Sequence, residues 1–593
     1  MDKQATLGYI LIFLLFIGWL WYSAPKQQEQ VLTRTPATAV TTKKDSVQPP
    51  VKQEQKDQQN PLGRFFSFDS TKNEKLVTVE TDLFIAELTS RGGMIKRWEL
   101  KKFNKWSGKP VQLIDYKQKG DYSLLFTTSD GRLINTKELQ FEFVGIPPTH
   151  RTLEGKEEAT IEAVLSTTTG GKIYKKFTFR NEEYGFDSEI KLIRMGSIVS
   201  NFEYQVVWES GLQYAEHNSV DESGFAGAYV YSGKELTSLE TLPLEQKVDT
   251  VVSGSVEWVA MRTKYFCLAI IPKSTPSEGA YLEGIMDKAP DNGTVERYGI
   301  AVKMPYRGTM EETSSFKVFF GPVDLKILKS YNTNLDQIIS LGWTWLIRPI
   351  SEYVMIPLMS FLRFLIPNWG VVIIVFAFII FFALRPLTKS SMKSMKKMQS
   401  LQPMIKELQE KYKEDPQKMN QQVMNLYKEY GVNPAGSCLP MLLQFPVLIA
   451  LYNVFRSTIE LRQASFVWWI NDLSVPDAIF TLPFTIPFFG VKVVSGLALM
   501  MGLTMFVQQK MTVKDPRQKA MVYVMPILMT MLFNSFPSGL NLYYFVFNLL
   551  SIGSQYLMNR KADEEPLRKV EKKKSKAMGI IGRLGKDMPK FKK

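Results

Sequence analysis

Apolar and polar positions divide the chain into two regimes. From residue 64 to 325 they alternate at period two, as in Leu76-Val77-Thr78-Val79-Glu80, Lys172-Ile173-Tyr174-Lys175-Lys176-Phe177-Thr178-Phe179 and Glu189-Ile190-Lys191-Leu192-Ile193. Turn signals punctuate the runs: Arg91-Gly92-Gly93, Gly170-Gly171 and Asp291-Asn292-Gly293. Alternation puts the apolar side chains of a strand on one face, so many short runs of this kind predict a large antiparallel β-sandwich. From 335 onward the apolar runs lengthen and become continuous, which predicts a polytopic α-helical membrane region.

Six spans are predicted. The first lies within 1–23, where Leu7–Tyr22 is apolar. A signal peptide would end in a small-x-small cleavage site, whereas Trp21-Tyr22-Ser23-Ala24-Pro25 offers bulky residues and a proline, so the segment reads as a retained anchor. Residues 24–63, rich in Gln, Thr, Lys and Pro, cannot bury enough surface to offset their ordering entropy and read as a linker. After the 64–325 domain, residues 326–368 mix Arg348, Glu352 and Arg363 with aromatics and read as amphipathic interfacial helices. The second span is 369–387, followed by a polar helical hairpin at 388–437. Spans three to six occupy 438–557, as Cys438–Phe455, Val493–Gln509, Ala520–Ser535 and Leu540–Leu557, with a neutral loop at 456–492. A basic tail fills 558–593. Several spans hold only 16 to 18 residues, about 24–27 Å of helix against a hydrocarbon core of about 30 Å.

Charge orients this map. The net charge is +15. Residues 388–437 hold nine Lys against five acids, 509–519 hold four basic residues against one acid, and 558–593 hold thirteen against five. These three segments carry the whole excess, and they follow spans two, four and six. The positive-inside rule therefore places them, with both termini, in the cytoplasm, and puts the β-domain on the other side of the membrane.

Composition removes several function classes. Two cysteines, Cys267 and Cys438, and two histidines, His150 and His217, make a disulfide framework or zinc chemistry a poor fit. No phosphate-binding Gly loop or serine nucleophile elbow is present. No cofactor, metal or small-molecule substrate is expected, and no catalytic residue. Cys267 sits in an apolar strand-like run, as a packed core thiol.

The polar residues inside the spans carry the remaining chemistry. Asn541, Tyr544, Asn548 and Ser551 share one helix face by spacing, with Tyr543 beside them. Gln444 and Tyr452 lie on the third span. Such residues either glue helices together or line a partly hydrated groove for an amphipathic ligand. Arg385 is the one ionisable residue near a span's interior; it is either functional or snorkels to the cytoplasmic headgroups. In the hairpin, Met392, Met395, Met398 and Met419 recur on apolar stripes. Two helices packing face to face would explain them, and so would a repackable surface for varied apolar clients.

The helical half resembles the YidC-type membrane insertase family. The resemblance runs through Asn368-Trp369-Gly370, Arg385-Pro386-Leu387-Thr388-Lys389 and Lys397-Met398-Gln399-Ser400-Leu401-Gln402-Pro403. It continues in Asn433-Pro434-Ala435-Gly436-Ser437-Cys438-Leu439-Pro440, Gln444-Phe445-Pro446, Trp469-Ile470-Asn471-Asp472-Leu473 and Phe536-Pro537-Ser538-Gly539-Leu540. The 64–325 region is similar to the large periplasmic β-sandwich of the family's Gram-negative branch. The resemblance implies a five-helix insertase core with a hydrophilic groove open to cytoplasm and lipid. It also implies a function: inserting and helping to fold inner-membrane proteins without nucleotide hydrolysis, alone or with the Sec translocon. The implied partners are nascent membrane proteins, lipids and the ribosome. Lys572, Lys573, Lys574 and Lys576 of the tail would hold the ribosome through RNA phosphates. The family's groove arginine stands five residues before the proline of Pro-Leu-Thr, which here is Phe381; Arg385 lies one turn later. Either Arg385 reaches back by that turn, or insertion proceeds without a deep cation. The alternative from another class is a small-solute transporter, though no internal repeat supports one.

Overall fold

The computed structural model describes residues 62–67, 73–114, 119–145, 149–432, 439–486, 491–512 and 519–560. The expected first span, most of the linker, and the tail with Lys572, Lys573, Lys574 and Lys576 lie outside the described residues. The chain forms two compact units that divide between Ile339 and Ser340.

The first unit is built of strands where alternation predicts them. Nine form one sheet, whose middle runs Trp258–Arg262, Phe266–Pro272, Glu311–Pro322, Gly185–Ile193, Lys172–Arg180 and Glu158–Ser166 in spatial order. A six-stranded sheet centres on Gly293–Pro305 and Glu203–Trp208, and a five-stranded one on Leu76–Glu80, Phe84–Thr89 and Met94–Asn104. Among the described strands pairing is antiparallel except where Thr78–Glu80 meets His150–Thr152 in parallel, and an isolated bridge between Leu244 and Met286 is also parallel. One residue joins the layers. Phe320 of the nine-stranded sheet stacks on Trp98 of the five-stranded sheet at 5.0 Å and meets Trp208 of the six-stranded sheet edge-on at 5.1 Å. Trp98 Nε1 donates to the Phe320 carbonyl at 3.0 Å, so burying the indole leaves no polar atom unpaired. Cys267 is buried in its strand, and burial pushes its thiol up to about 12.

Residues 326–339, expected with the interfacial helices, pack instead on the β-unit. Arg262 is buried and donates to the Ile338 carbonyl at 2.6 Å, while Trp258 Nε1 donates to the Thr333 carbonyl at 2.8 Å. These carbonyls satisfy donors that the sheet would otherwise bury unpaired.

The second unit contains helices α1 (Trp369–Ser400), α2 (Gln402–Lys411), α3 (Pro416–Glu429), α4 (Leu439–Ser457), α5 (Gly496–Thr512), α6 (Lys519–Phe533) and α7 (Ser538–Arg560). The side chain of Asn368 accepts from the Val371 amide at 3.1 Å and starts α1. Before it, Ser351–Met355 forms a π turn running into the helix Ile356–Leu365, with Arg348 and Glu352 paired at 3.0 Å. The α5–α6 contact depends on a missing side chain. A Cβ at Gly502 would lie 1.9 Å from Thr530 Oγ1, so a larger residue here would have to displace the Thr530 side chain.

Two boundaries differ from expectation. The second span is expected to end at Leu387 and the hairpin to begin at 388, but a single helix, α1, continues through Pro386 to Ser400 and breaks at Leu401. The residues after Pro386 sustain the helix, whereas Pro403 sits in the first turn of α2, where its missing N–H costs nothing. The 456–492 region holds a β-hairpin, Ala478–Ile486 paired with Val491–Ser495, so α5 starts at Gly496 rather than Val493. Among the described residues, Trp369–Pro386 is the segment both long and apolar enough to cross a membrane, and Val522–Phe533 is a shorter apolar helix.

Candidate functional site

The polar face read on α7 is buried. Asn541, Tyr544, Asn548 and Ser551 all lie inside the helical core, with Tyr543 beside them. Part of this face holds helices together. Asn541 Nδ2 donates to the Phe533 carbonyl of α6 at 3.1 Å, and Asn548 Nδ2 to Thr504 Oγ1 of α5 at 3.4 Å. Ser551 donates back to the Phe547 carbonyl at 2.9 Å.

The rest of the face keeps unused hydrogen-bonding capacity. Asn541 Oδ1 and the hydroxyls of Tyr543 and Tyr544 are buried and have no hydrogen-bond partner among the described residues. Their rings explain why they stay inside. Tyr543 stacks on Phe547 at 5.8 Å and faces Phe376 of α1 at 6.0 Å, and Tyr544 meets Phe533 edge-on at 5.3 Å. Each unpaired polar atom costs about 1–3 kcal/mol in a dry interior. Three together amount to a polar streak within an apolar cluster.

The remaining expected residues are spread along the bundle. Phe381 packs into the core at Phe547, while Arg385, one turn on, is exposed with its guanidinium carbon 5.8 Å from the Phe382 ring. Gln444 and Tyr452 are half-buried on α4. The Tyr452 ring lies 4.9 Å from Phe536, in the turn between α6 and α7, and its hydroxyl accepts from Arg456. Tyr452 thus marks the turn end of the bundle, and Arg385 lies on the far side of Phe547 from it. Gln444 precedes Tyr452 by eight residues on α4, about 12 Å along the axis. The hairpin helices close on a small core of Leu401, Ile405, Val423, Tyr430 and Val432, with Met398 packed against it; Met419 is half-buried. The side chains of Met392 and Met395 lie outside the described residues.

The neutral-loop reading missed a polar clamp at the turn end. Asp477 is buried and accepts from the Leu497 amide and from Trp469 Nε1, each at 2.8 Å, and from Ser495 Oγ. Ser495 Oγ accepts from the Ala498 amide at 3.1 Å, and Asn534 Oδ1 from the Ser495 amide at 2.8 Å. A carboxylate at the start of α5 satisfies orphan amides and complements the helix dipole. Its signal in the sequence is an acid, Asp477, and a serine, Ser495, each flanked by apolar runs.

The β-unit holds a cavity of about 460 Å³ whose lining includes Lys119, Lys137, Lys247 and Arg297. Each of these cations is paired with an acid: Glu138, Glu209, Glu283 and Asp287 respectively. Among the described residues no cluster of three or more His, Cys, Asp or Glu could hold a metal ion.

Comparison with known proteins adds to this geometry. Residues 361–565 match the family described as "60Kd inner membrane protein", and residues 76–352 match the "YidC periplasmic domain". The "Membrane protein insertase YidC" of Chlorobaculum parvum is 37% identical over 569 residues, covering 95% of this chain and 96% of that protein. The protein of the same name from Chloroherpeton thalassium is 37% identical over 593 residues, covering 97% and 99%. Among solved structures, "Active YidC insertase crystal structure with the first transmembrane domain resolved" covers 83% of this chain and 94% of its own, at 19% identity and a TM-score of 0.35.

Proposed function

The chain belongs to the YidC family of membrane protein insertases, and on that premise we propose how its residues carry out insertion of nascent membrane proteins. Six spans cross the bacterial inner membrane, with both termini and the α2–α3 hairpin in the cytoplasm and the β-unit in the periplasm. An emerging apolar segment first meets the hairpin, where Met398 and Met419, with Met392 and Met395, offer side chains that repack around different sequences. The segment then passes along α7, α1 and α4. There Gln444, Asn541, Tyr543, Tyr544 and Asn548 supply hydrogen bonds to its polar backbone while Arg385 stands at the cytoplasmic mouth. Tyr452 lines the other end. The client leaves sideways into lipid, driven by transfer of its own apolar surface.

No bond is made or broken in this sequence, so the chain needs neither nucleotide nor cofactor and is not an enzyme. The basic tail, with Lys572, Lys573, Lys574 and Lys576, holds the ribosome through phosphate contacts that weaken steeply with salt. The chain works alone or beside the Sec translocon. The observation that carries the groove reading is the set of three buried polar atoms, Asn541 Oδ1 and the Tyr543 and Tyr544 hydroxyls, without a hydrogen-bond partner among the described residues. The relatives' names favour an insertase and lend nothing to a small-solute transporter.

The test uses purified protein in liposomes and a single-span client with a short translocated tail. Wild type should protect the tail from protease well above empty liposomes without added nucleotide. Replacing both Tyr543 and Tyr544 with Phe keeps the packing and removes the two hydroxyls. It should lower protection several-fold. Protection unchanged in that variant would remove the hydroxyls from the account.

A further inference from the structure

The hairpin Ala478–Ile486/Val491–Ser495 stands alone. It is a two-stranded ribbon that no other strand joins among the described residues. It leaves Ile479, Phe480 and Phe484 48%, 59% and 61% exposed. Its described strands carry a single charge, Lys492. A two-stranded ribbon with this much bare apolar surface is at best marginally stable in water. Its surroundings must therefore supply what a third strand would.

Two constraints bracket where it can sit. Its outer edges carry backbone N–H and C=O groups with no strand to pair them, and such edges are not tolerated in the hydrocarbon core. Its exposed phenylalanines, in turn, disfavour bulk water. Only the zone between, where headgroups meet acyl chains, satisfies both groups at once.

Two further observations point to the same level. Val491–Ser495 runs into α5 without a linker, and α5 presents Leu499, Leu503 and Val507, four residues apart, as an exposed apolar stripe. At the base of the hairpin, Trp469 packs so that a Cβ on Gly496 would lie 3.0 Å from its ring, and its neighbour Trp468 is 82% exposed. The two indoles stack at 5.8 Å. Exposed tryptophan beside a lipid-facing helix end is the pattern of an aromatic belt.

We propose that this hairpin lies in the headgroup–acyl boundary of the bilayer, with Ile479, Phe480, Phe484 and Trp468 as its lipid contacts, and so fixes the depth of the α5 end through the Asp477 clamp. The inference rests on α5 crossing the membrane. Its partner is the lipid surface, not a protein.

Nitroxide labels on the full-length chain in liposomes test it, placed singly at Phe480→Cys, Phe484→Cys, Lys492→Cys and Leu503→Cys in a Cys438→Ser background. Collisions with dissolved oxygen report lipid, and collisions with a water-soluble nickel chelate report solvent. Labels at 480 and 484 should favour oxygen several-fold over the label at 492, at a depth shallower than 503. If 503 reports lipid but 480 and 484 meet the chelate as freely as a label at the exposed Lys172 of the β-unit, the hairpin proposal is overturned and the α5 span stands. Low access to both agents at 480 and 484 would mean protein contact and would also overturn it. If 503 itself reports water, both the span and the proposal fall.

Discussion

Phe381 of α1 meets Phe547 of α7 edge-to-face, with ring centroids 5.6 Å apart and planes at 77°. The contact occupies the position that the family resemblance gives to a groove arginine. An aromatic pair of this geometry adds about 0.5–1.5 kcal/mol beyond the area it buries. The helix pair is therefore held here by packing, and the cation of this stretch of α1, Arg385, lies one turn further on and is exposed. Arg385→Ala should lower client insertion in liposomes several-fold, and Arg385→Lys should retain most of it. Equal insertion by wild type and Arg385→Ala would mean that this chain inserts without the Arg385 charge.

The clamp at Asp477 makes a local prediction. Asp477→Ala removes the acceptor of the Leu497 amide, the Trp469 indole and the Ser495 hydroxyl together. Losing a buried multi-acceptor carboxylate costs about 2–4 kcal/mol. Hydrogen exchange at the Leu497 and Ala498 amides should speed up by at least tenfold, with the β-unit unchanged. Unaltered exchange would show that α5 starts without the cap.

Stability of the β-unit should fall between pH 5 and 7. Burial pushes the carboxyls of Glu222 and Glu296 up to about 7, and that of Asp121 up to about 6. A carboxyl raised in the folded state stabilises below its unfolded value, 4.5 for the two glutamates and 3.8 for the aspartate, and that contribution is lost as pH rises through the folded value. Buried Lys175 acts in the opposite window. Its ammonium donates to the carbonyls of Gly92, Gly93 and Tyr122 at 3.0, 3.3 and 2.8 Å, yet burial lowers it to about 7. Its contribution is complete above 10.5 and is lost as pH falls through 7. The unfolding midpoint of the β-unit should therefore pass through a minimum near neutrality. Glu222→Gln should flatten the acid side of that minimum, and an unchanged slope would assign the fall to other groups.

Cys267 should be unreactive while the β-unit is folded. Its thiol is buried and pushed up to about 12, so the thiolate that attacks maleimide is scarce at pH 7. In Cys438→Ser protein, labelling should be negligible until denaturant unfolds the unit, and should then go to completion. Rapid labelling of native protein would contradict the packed strand.

The β-unit was legible because alternation is a local signal. Leu76–Glu80 and Lys172–Arg180 form strands where their period-two pattern lies, with turns at Gly92-Gly93 and Gly170-Gly171. The shared face of Asn541, Tyr544, Asn548 and Ser551 was legible from helical spacing. Their partners were not, because Phe533, Thr504 and Ser495 meet α7 only through tertiary packing. The hairpin at 478–495 escaped notice for a different reason. Val491, Val493 and Val494 are apolar and directly precede an apolar helix, so periodicity could not separate a short strand from the start of a span. The continuation of α1 past Pro386 was hidden by the usual association of proline with a helix end.

The most direct test of the client path is site-specific photo-crosslinking during insertion. A photoreactive residue would be placed singly at Arg385, Tyr544, Asn548 and, as a control on the exposed stripe of α5, Leu503. The protein would be in liposomes with a client arrested midway. The account predicts client adducts from 385, 544 and 548 and at most traces from 503. Adducts concentrated at 503, with none at 544 and 548, would contradict it and move the client path to the outer face of α5.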